Sequence, residues 1–203
     1  MGLYLGNQKV KLCSQSSISY SVVGNVSINS DGVATGFTNK TDYLTIGTFS
    51  PDTNKWKFST KVKFNSLTAN MSLIDRNTST RCFQISMRTS GKWRVNVSTN
   101  GSSKTRETDG THVMSVNTVY YLSFEYDGTN YYLKYSTDNI NWTTDITITG
   151  VAKVYSGASM CMGHTWYNGG EELWDGEIYM RETHLFTYGI NTEIWKLHAL
   201  EGN

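Results

Sequence analysis

Proline occurs once in the 203 residues, and the three cysteines, Cys13, Cys82 and Cys161, are odd in number and far apart. Such cysteine usage argues against a disulfide framework. Cys82 and Cys161 sit inside apolar alternations and read as small buried hydrophobes. The near-absence of proline fits long strands joined by Gly and Asn turns better than a loop-rich scaffold. No apolar run reaches 18 residues, so no membrane-spanning helix is expected. The leading MGLYLGNQKV lacks the apolar core of a signal peptide, so the expected location is cytoplasmic, or outside by a route other than standard secretion. The N-x-S/T triplets at Asn25, Asn70, Asn96 and Asn141 then read as compositional. An excess of one charge is also missing: the formal net charge is +1, with lysine and arginine spread along the chain. Neither a nucleic-acid nor a membrane partner is expected from that balance.

What is present is alternation. In VYYLSFEYDGTNYYLKYSTDNINW (residues 119–142), Tyr120, Leu122, Phe124 and Tyr126 alternate with polar or outward positions. The pattern resumes with Tyr131, Leu133 and Tyr135 after the turn cluster Asp127-Gly128-Thr129-Asn130. A two-residue or a four-residue loop keeps the same parity, so either register gathers the apolar side chains on one face. Trp56, Phe58, Thr60, Val62 and Phe64 alternate with Lys57, Ser59, Lys61 and Lys63, and the lysines mark the wet side. Further strands are expected at residues 19–28 (weakly), 33–37, 43–46, 71–75, 83–87, 93–97, 146–148, 160–162 and 173–186. Residues 100–110 read as a long polar loop. Gly6-Asn7 between Leu5 and Gln8 suits a two-residue hairpin. Residues 191–200, with Ile190, Ile194 and Leu197 at helical spacing, are the one expected helix. About a dozen strands spaced by Gly/Asn turns indicate an all-β fold of two stacked antiparallel sheets.

The order TDYLTIG, WKFSTKVKF, CFQISMRTSGKWRVNVSTN, the ribbon, then LWDGEIYMRE resembles a concanavalin A-like lectin/glucanase jelly roll of the laminin G-like kind. The Y-D-G-x-x-Y-x-L-x-Y-S-x-D-x-x-x-W pattern of residues 126–142 and the W-D-G-E-I-Y of residues 174–179 carry most of the likeness, which spans residues 33–186. It implies a two-sheet jelly-roll sandwich and speaks only faintly to function. The leading GLYLGNQKV resembles the N-terminal hairpins of phage and prophage tail or fibre proteins.

Glucanases of this fold use an E-x-D-x-x-E pattern, because one carboxyl attacks while another donates a proton. The nearest match is Asp175-Gly176-Glu177, with Met180 where the third carboxylate belongs. Glu125-Tyr126-Asp127 runs into a turn with no third member. No catalytic residue is therefore expected. Among His112, His164, His184 and His198, only Cys161-Met162-Gly163-His164 has half-zinc spacing, and no second pair completes it. A buried thiol beside a loop imidazole is the expected arrangement. Asp127, Asp138, Asn139 and Asn141 form the best calcium cluster, yet these residue types are also what turns require. No metal and no cofactor are expected. There is no Ser-His-Asp order, glycine-rich phosphate loop or redox cysteine pair.

The segment HTWYNGGEE (residues 164–172), followed by Trp174, has the most distinctive local chemistry. Trp166, Tyr167, Asn168, Glu171 and Trp174 are the candidate carbohydrate-binding residues, since indole and phenol rings stack on sugars while amide and carboxylate bond the hydroxyls. The competing reading has Trp166 or Trp174 capping the edge of the core, with Trp93 and Trp142 at core or rim. The expected organisation is a hairpin assembly arm at residues 1–18 and a jelly-roll domain at residues 19–203. The expected role is a non-catalytic phage or prophage virion component of the tail-fibre or receptor-binding type, made in the host cytoplasm. It binds surface glycan, contacts other virion proteins through the arm, and forms a homo-oligomer. A structural capsid-decoration or head-fibre subunit, and a glycan hydrolase or lyase, are the alternatives.

Overall fold

The computed structural model describes residues 19–51, 55–165 and 172–187, together with strand backbone at 4–5, 8–9 and 15–17. In chain order the strands are β1 (Tyr4–Leu5), β2 (Gln8–Lys9), β3 (Gln15–Ser17), β4 (Ser21–Val23), β5 (Ser27–Ile28), β6 (Val33–Thr35), β7 (Tyr43–Phe49), β8 (Trp56–Phe64) and β9 (Met71–Arg76). They continue with β10 (Phe83–Met87), β11 (Trp93–Val97), β12 (Arg106–Asp109), β13 (Val119–Tyr126), β14 (Tyr131–Ser136), β15 (Thr143–Ile148), β16 (Ala158–Met162) and β17 (Gly176–Thr187). The first sheet runs β12-β11-β10-β9-β16-β7-β4 and the second β15-β14-β13-β8-β17-β6-β5, with β3 added to β17. All pairs are antiparallel, and no helix occurs among the described residues. The result is a two-sheet jelly-roll sandwich.

The period-2 pattern explains why these strands stack. Trp56, Phe58, Thr60, Val62 and Phe64 of β8 are buried while the residues between them are not. Trp56 stacks on Phe83 of the facing sheet at 5.5 Å and meets Phe124 edge-on at 5.3 Å. Such contacts place the aromatic payload between the layers, where cutting one ring to alanine costs about 3–5 kcal/mol. In the central ribbon Tyr126 pairs with Tyr131, Phe124 with Leu133 and Leu122 with Tyr135, so the loop has four residues. Asp127 closes it by accepting the backbone N–H groups of Thr129 and Asn130, each at 2.8 Å.

Tertiary structure overrides the local pattern in several places. The single weak strand expected at residues 19–28 is two strands, β4 and β5, in opposite sheets. Gly24 turns the chain at φ 73°, and Asp42 accepts the Asn25 N–H at 2.8 Å to hold the crossing. The polar loop at residues 100–110 contains β12, an edge strand held by Arg94–Asp109 and Arg94–Glu107 pairs and lacking apolar alternation. The last strand begins at Gly176, and its register against β8 slips between Tyr179 and His184. The bulge turns Thr183 inward to hydrogen-bond Thr60 at 2.8 Å, which explains a threonine in an otherwise apolar row. Tyr4 pairs with Lys9 and Leu5 with Gln8, the expected hairpin. Residues 15–17, expected within the arm, pair with β17 of the second sheet. The helix expected at residues 191–200 lies outside the described residues.

Candidate functional site

β16 leads to the segment singled out for sugar binding. Gly163 donates its N–H to Leu73 of β9 at 3.0 Å, and on the far side of residues 166–171 Glu172 accepts the Ser72 N–H, also at 3.0 Å. Trp174 donates its N–H to the Gly163 carbonyl at 2.9 Å and ties the two flanks together at this foot. Both flanks of that segment are thus pinned to neighbouring β9 residues. Gly163 has φ 92°, and a Cβ there would lie 2.2 Å from the Phe37 ring, so no other residue fits.

Trp166, Tyr167, Asn168 and Glu171 lie outside the described residues. Trp174 is described and is 1% exposed. Its indole stacks on Trp93 at 6.2 Å, 11° from parallel, and meets Phe64 edge-on at 6.3 Å. The side chain expected on a sugar platform thus packs between the layers and anchors the foot, and it also lines the edge of the cleft beside it. Of the two tryptophans expected at core or rim, Trp93 is core and Trp142 lies at the rim.

Beside this foot is a cleft of about 380 Å³. Thr38, Asn65, Ser66, Thr68 and Asp175 give it polar walls, with Phe37 and Met71 below. The Asp175 carboxylate accepts from Ser66 Oγ at 2.6 Å and from Asn65 Nδ2 at 3.2 Å. Asn65 also donates its backbone N–H to the Asp175 carbonyl at 2.8 Å, which ties the end of β8 to the start of β17. A carboxylate, an amide and several hydroxyls over an apolar floor make an arrangement able to bond a polyhydroxylated ring. Sequence reasoning missed Asn65, Ser66 and Thr68 because they read as ordinary turn residues; only the D of W-D-G-E pointed here.

The other side of the foot is the outward face of the first sheet. Asp75 is buried there, accepting from Thr165 Oγ1 at 2.5 Å and from Arg76 N–H at 2.7 Å. Burial raises its pKa above the usual carboxylate range, and those hydrogen bonds oppose the rise. Glu172 pairs with Arg88 at 3.2 Å, and Asn96 donates to Gln84 at 2.6 Å. His164 is 4% exposed, tilted on Tyr43 at 4.8 Å, and neither ring nitrogen has a hydrogen-bond partner among the described residues. Burial lowers its pKa and keeps it neutral. Cys161 directs its thiol to the Arg76 carbonyl at 3.4 Å, and burial pushes its pKa up. Among the described residues no group of three or more His, Cys, Asp or Glu side chains is placed to hold a metal.

The remaining candidates have structural partners. Glu177 is bonded by Lys63 at 2.7 Å and by the Tyr179 hydroxyl at 2.6 Å, which holds its pKa below the usual range. Met180 is buried where a third carboxylate would stand. Glu125 is paired with Lys134. Asp138 accepts the N–H groups of Ile140 and Asn141 at 2.9 and 2.8 Å and the Asn141 side-chain amide at 2.7 Å, around Asn139 at φ 61°. Those bonds, the Asn141 N–H foremost, hold its pKa far down, as a turn-forming carboxylate requires.

No protein-family model and no curated protein matches the sequence. In three dimensions the chain is similar to a structure of botulinum neurotoxin type C, described as dependent for cell entry upon interaction with two ganglioside molecules (TM-score 0.61, 10% identity, 90% of this chain and 46% of that one). It is also similar to the exoplasmic/lumenal domain of VIP36 in a Ca2+-bound form (0.59, 14%, 87% and 86%). A third likeness is to the IT-sialidase CBM40 of Ruminococcus gnavus (0.52, 15%, 73% and 83%). The chain spans about half the length of the toxin chains it matches. The fold these likenesses define is the concanavalin A-like jelly-roll sandwich, and identities this low establish fold alone.

Proposed function

We propose that this chain is a non-catalytic glycan-binding module, carried on a phage or prophage particle as a tail-fibre or receptor-binding component. The observation that carries the binding reading is the cleft of about 380 Å³ at the loop foot, where Asp175, Asn65, Ser66 and Thr68 present carboxylate, amide and hydroxyl groups together. The sugar rests there, and Trp166, Tyr167, Asn168 and Glu171, which follow Thr165 in sequence, are its further proposed contacts. The similar structures of the ganglioside-dependent neurotoxin and of the IT-sialidase CBM40 support that use of the sandwich. Catalysis is disfavoured because Glu177, held ionised by Lys63, cannot serve as a proton donor at neutral pH. The particle assignment rests on the β1–β2 hairpin and the likeness of its sequence to tail-protein arms. In that role the arm joins other virion proteins and the chain forms homo-oligomers.

A glycan array with the full chain, followed by titration of the best ligand, tests the binding. Asp175→Ala or Asn65→Ala should weaken binding by about 1–3 kcal/mol, the scale of removing a hydrogen-bonded charged partner. Trp166→Ala should cost a similar amount by loss of an aromatic contact, with the melting temperature nearly unchanged. A silent array would favour a purely structural virion subunit, and release of reducing ends from the ligand would make the chain a hydrolase. Electron microscopy of particles labelled through this chain tests its place in a virion.

A further inference from the structure

The outward face of the second sheet carries groups that neither the cleft nor the loop uses. Across β13 and β8, Glu125 stands opposite Lys57, Ser123 opposite Ser59, and Tyr121 opposite Lys61. On β14, Tyr132 and Lys134 extend the first two rows; on β17, Phe186 faces Lys57 and Tyr179 faces Lys61. The middle row is short only at Ser123 and Ser59, with Lys134 and His184 at its ends, and the rows on either side are long, aromatic and cationic. Side chains on one face of a pleated sheet stand side by side, so this short serine pair between two tall rows forms a trough bounded at its ends by Lys134 and His184.

Two features of this trough are left incomplete by the protein. Ser123 is 2% exposed, and its hydroxyl has no hydrogen-bond partner among the described residues. The Lys57 ammonium sits 5.7 Å from the Trp142 ring and 5.8 Å from the Phe186 ring. The carboxylates of this face are engaged by other lysines, Glu125 by Lys134, Glu177 by Lys63 and Glu182 by Lys61. Burial lowers the Lys57 pKa; the field of Glu125 opposes that and the field of Lys134 adds to it. An ammonium that has lost water and gained ring faces, but no anion, is the group that profits most from a ligand bringing one. Trp142 is 36% exposed and leaves part of its ring open beside that charge.

We propose that this trough is a second binding site, separate from the cleft, that takes the carboxylate of an acidic sugar: Lys57 pairs with the carboxylate, Ser123 supplies a hydroxyl at the floor, and Trp142 receives the pyranose ring. The exposed indole favours a sugar acid over a bare inorganic anion, because ring contact contributes only when the ligand has a ring.

The test is calorimetric titration of the full chain with sialyllactose and with trigalacturonic acid, lactose serving as the neutral probe. Each acidic probe should bind more tightly than lactose at low salt, and the preference should shrink as ionic strength rises. Lys57→Gln should weaken acidic binding at least tenfold, Lys57→Arg should retain most of it, and Trp142→Ala, at an exposed position, should weaken it without lowering the melting temperature. Asp175→Ala should leave acidic binding intact, so failure of the cleft reading and failure of this one are told apart. The inference is overturned if neither acid binds better than lactose, or if folded Lys57→Gln binds as the parent does. Acidic binding lost in Asp175→Ala and untouched in Lys57→Gln would also overturn it, since the acid would then occupy the cleft.

Discussion

The outward faces of the two sheets are made by the same alternation and finished differently. On the first sheet the face is amide, hydroxyl and carboxylate, and both ends of the 166–171 loop reach onto it: Thr165 bonds Asp75, and Glu172 bonds Arg88. On the second sheet the face is lysine and aromatic and covers itself, with Lys57 lying between Trp142 and Phe186 and Lys134 laid over Glu125. Outward-pointing residues are buried on both, Ser72 and Ser86 on one and Ser123 and Glu125 on the other. Facing away from the core is therefore not the same as facing water. Thr165 and Glu172, on the flanks of residues 166–171, engage polar groups in the first case, and long neighbouring side chains cover them in the second.

The largest effect that would break this contrast comes from Trp174→Ala. With Trp174 as the anchor of the loop foot, the substitution should cost about 3–5 kcal/mol in a denaturant melt, the large-to-small scale for a buried aromatic. A stable variant that has lost glycan affinity would return Trp174 to the binding surface. Next come the ion pairs of the two faces. Lys134→Ala strands the nearly buried Glu125 carboxylate and should cost about 1–3 kcal/mol. Arg88→Ala leaves Glu172, whose side chain is 24% exposed, able to find water and should cost about 0–1 kcal/mol. Equal losses would mean that the two faces are covered alike.

A smaller effect separates the faces by pH. The folded pKa of His164 lies below its ordinary 6.5, so below that pH the unfolded chain takes up the proton first and stability falls as pH drops toward the folded value. Asp75, with a raised pKa, has the opposite sign: as pH falls through its folded value toward 3.8 the folded chain is the better proton acceptor and stability rises. Melts of His164→Leu from pH 7 down to pH 5 should show a flatter dependence than the parent; an unchanged slope would remove His164 from the account. The smallest expected effect is none: chelator should leave the melting temperature unmoved, because the Asp138 oxygens already serve their own turn. A drop of many degrees would place an ion in the Asp127 or Asp138 turns.

Most of the sandwich was legible, and the site only in outline. Alternation is a local property, and the β8 row from Trp56 to Phe64 needs no partner to state which side is apolar. The strand β12 was not legible, because its charged residues are held by Arg94 from a neighbouring strand rather than by a core. The cleft was not legible either. Asn65, Ser66 and Asp175 are distant in sequence, and each alone reads as a turn former. Trp174 shows the same gap from the other direction: its neighbours in sequence suggest a binding loop, while its neighbours in space are Trp93 and Phe64.

The sequence by itself determined the all-β class, the parity of the central ribbon and the apolar face of nearly every long strand, because pleating ties side-chain direction to residue parity. It also determined the turns at Asp127 and Asp138, where a carboxylate bonds backbone only a few residues away. Only the tertiary structure decided that β4 and β5 part into opposite sheets, that the register of β17 slips to bring Thr183 against Thr60, and that Trp174 faces the core. Each of these depends on a contact between residues far apart in the chain, whose energy is realised only once both layers are stacked.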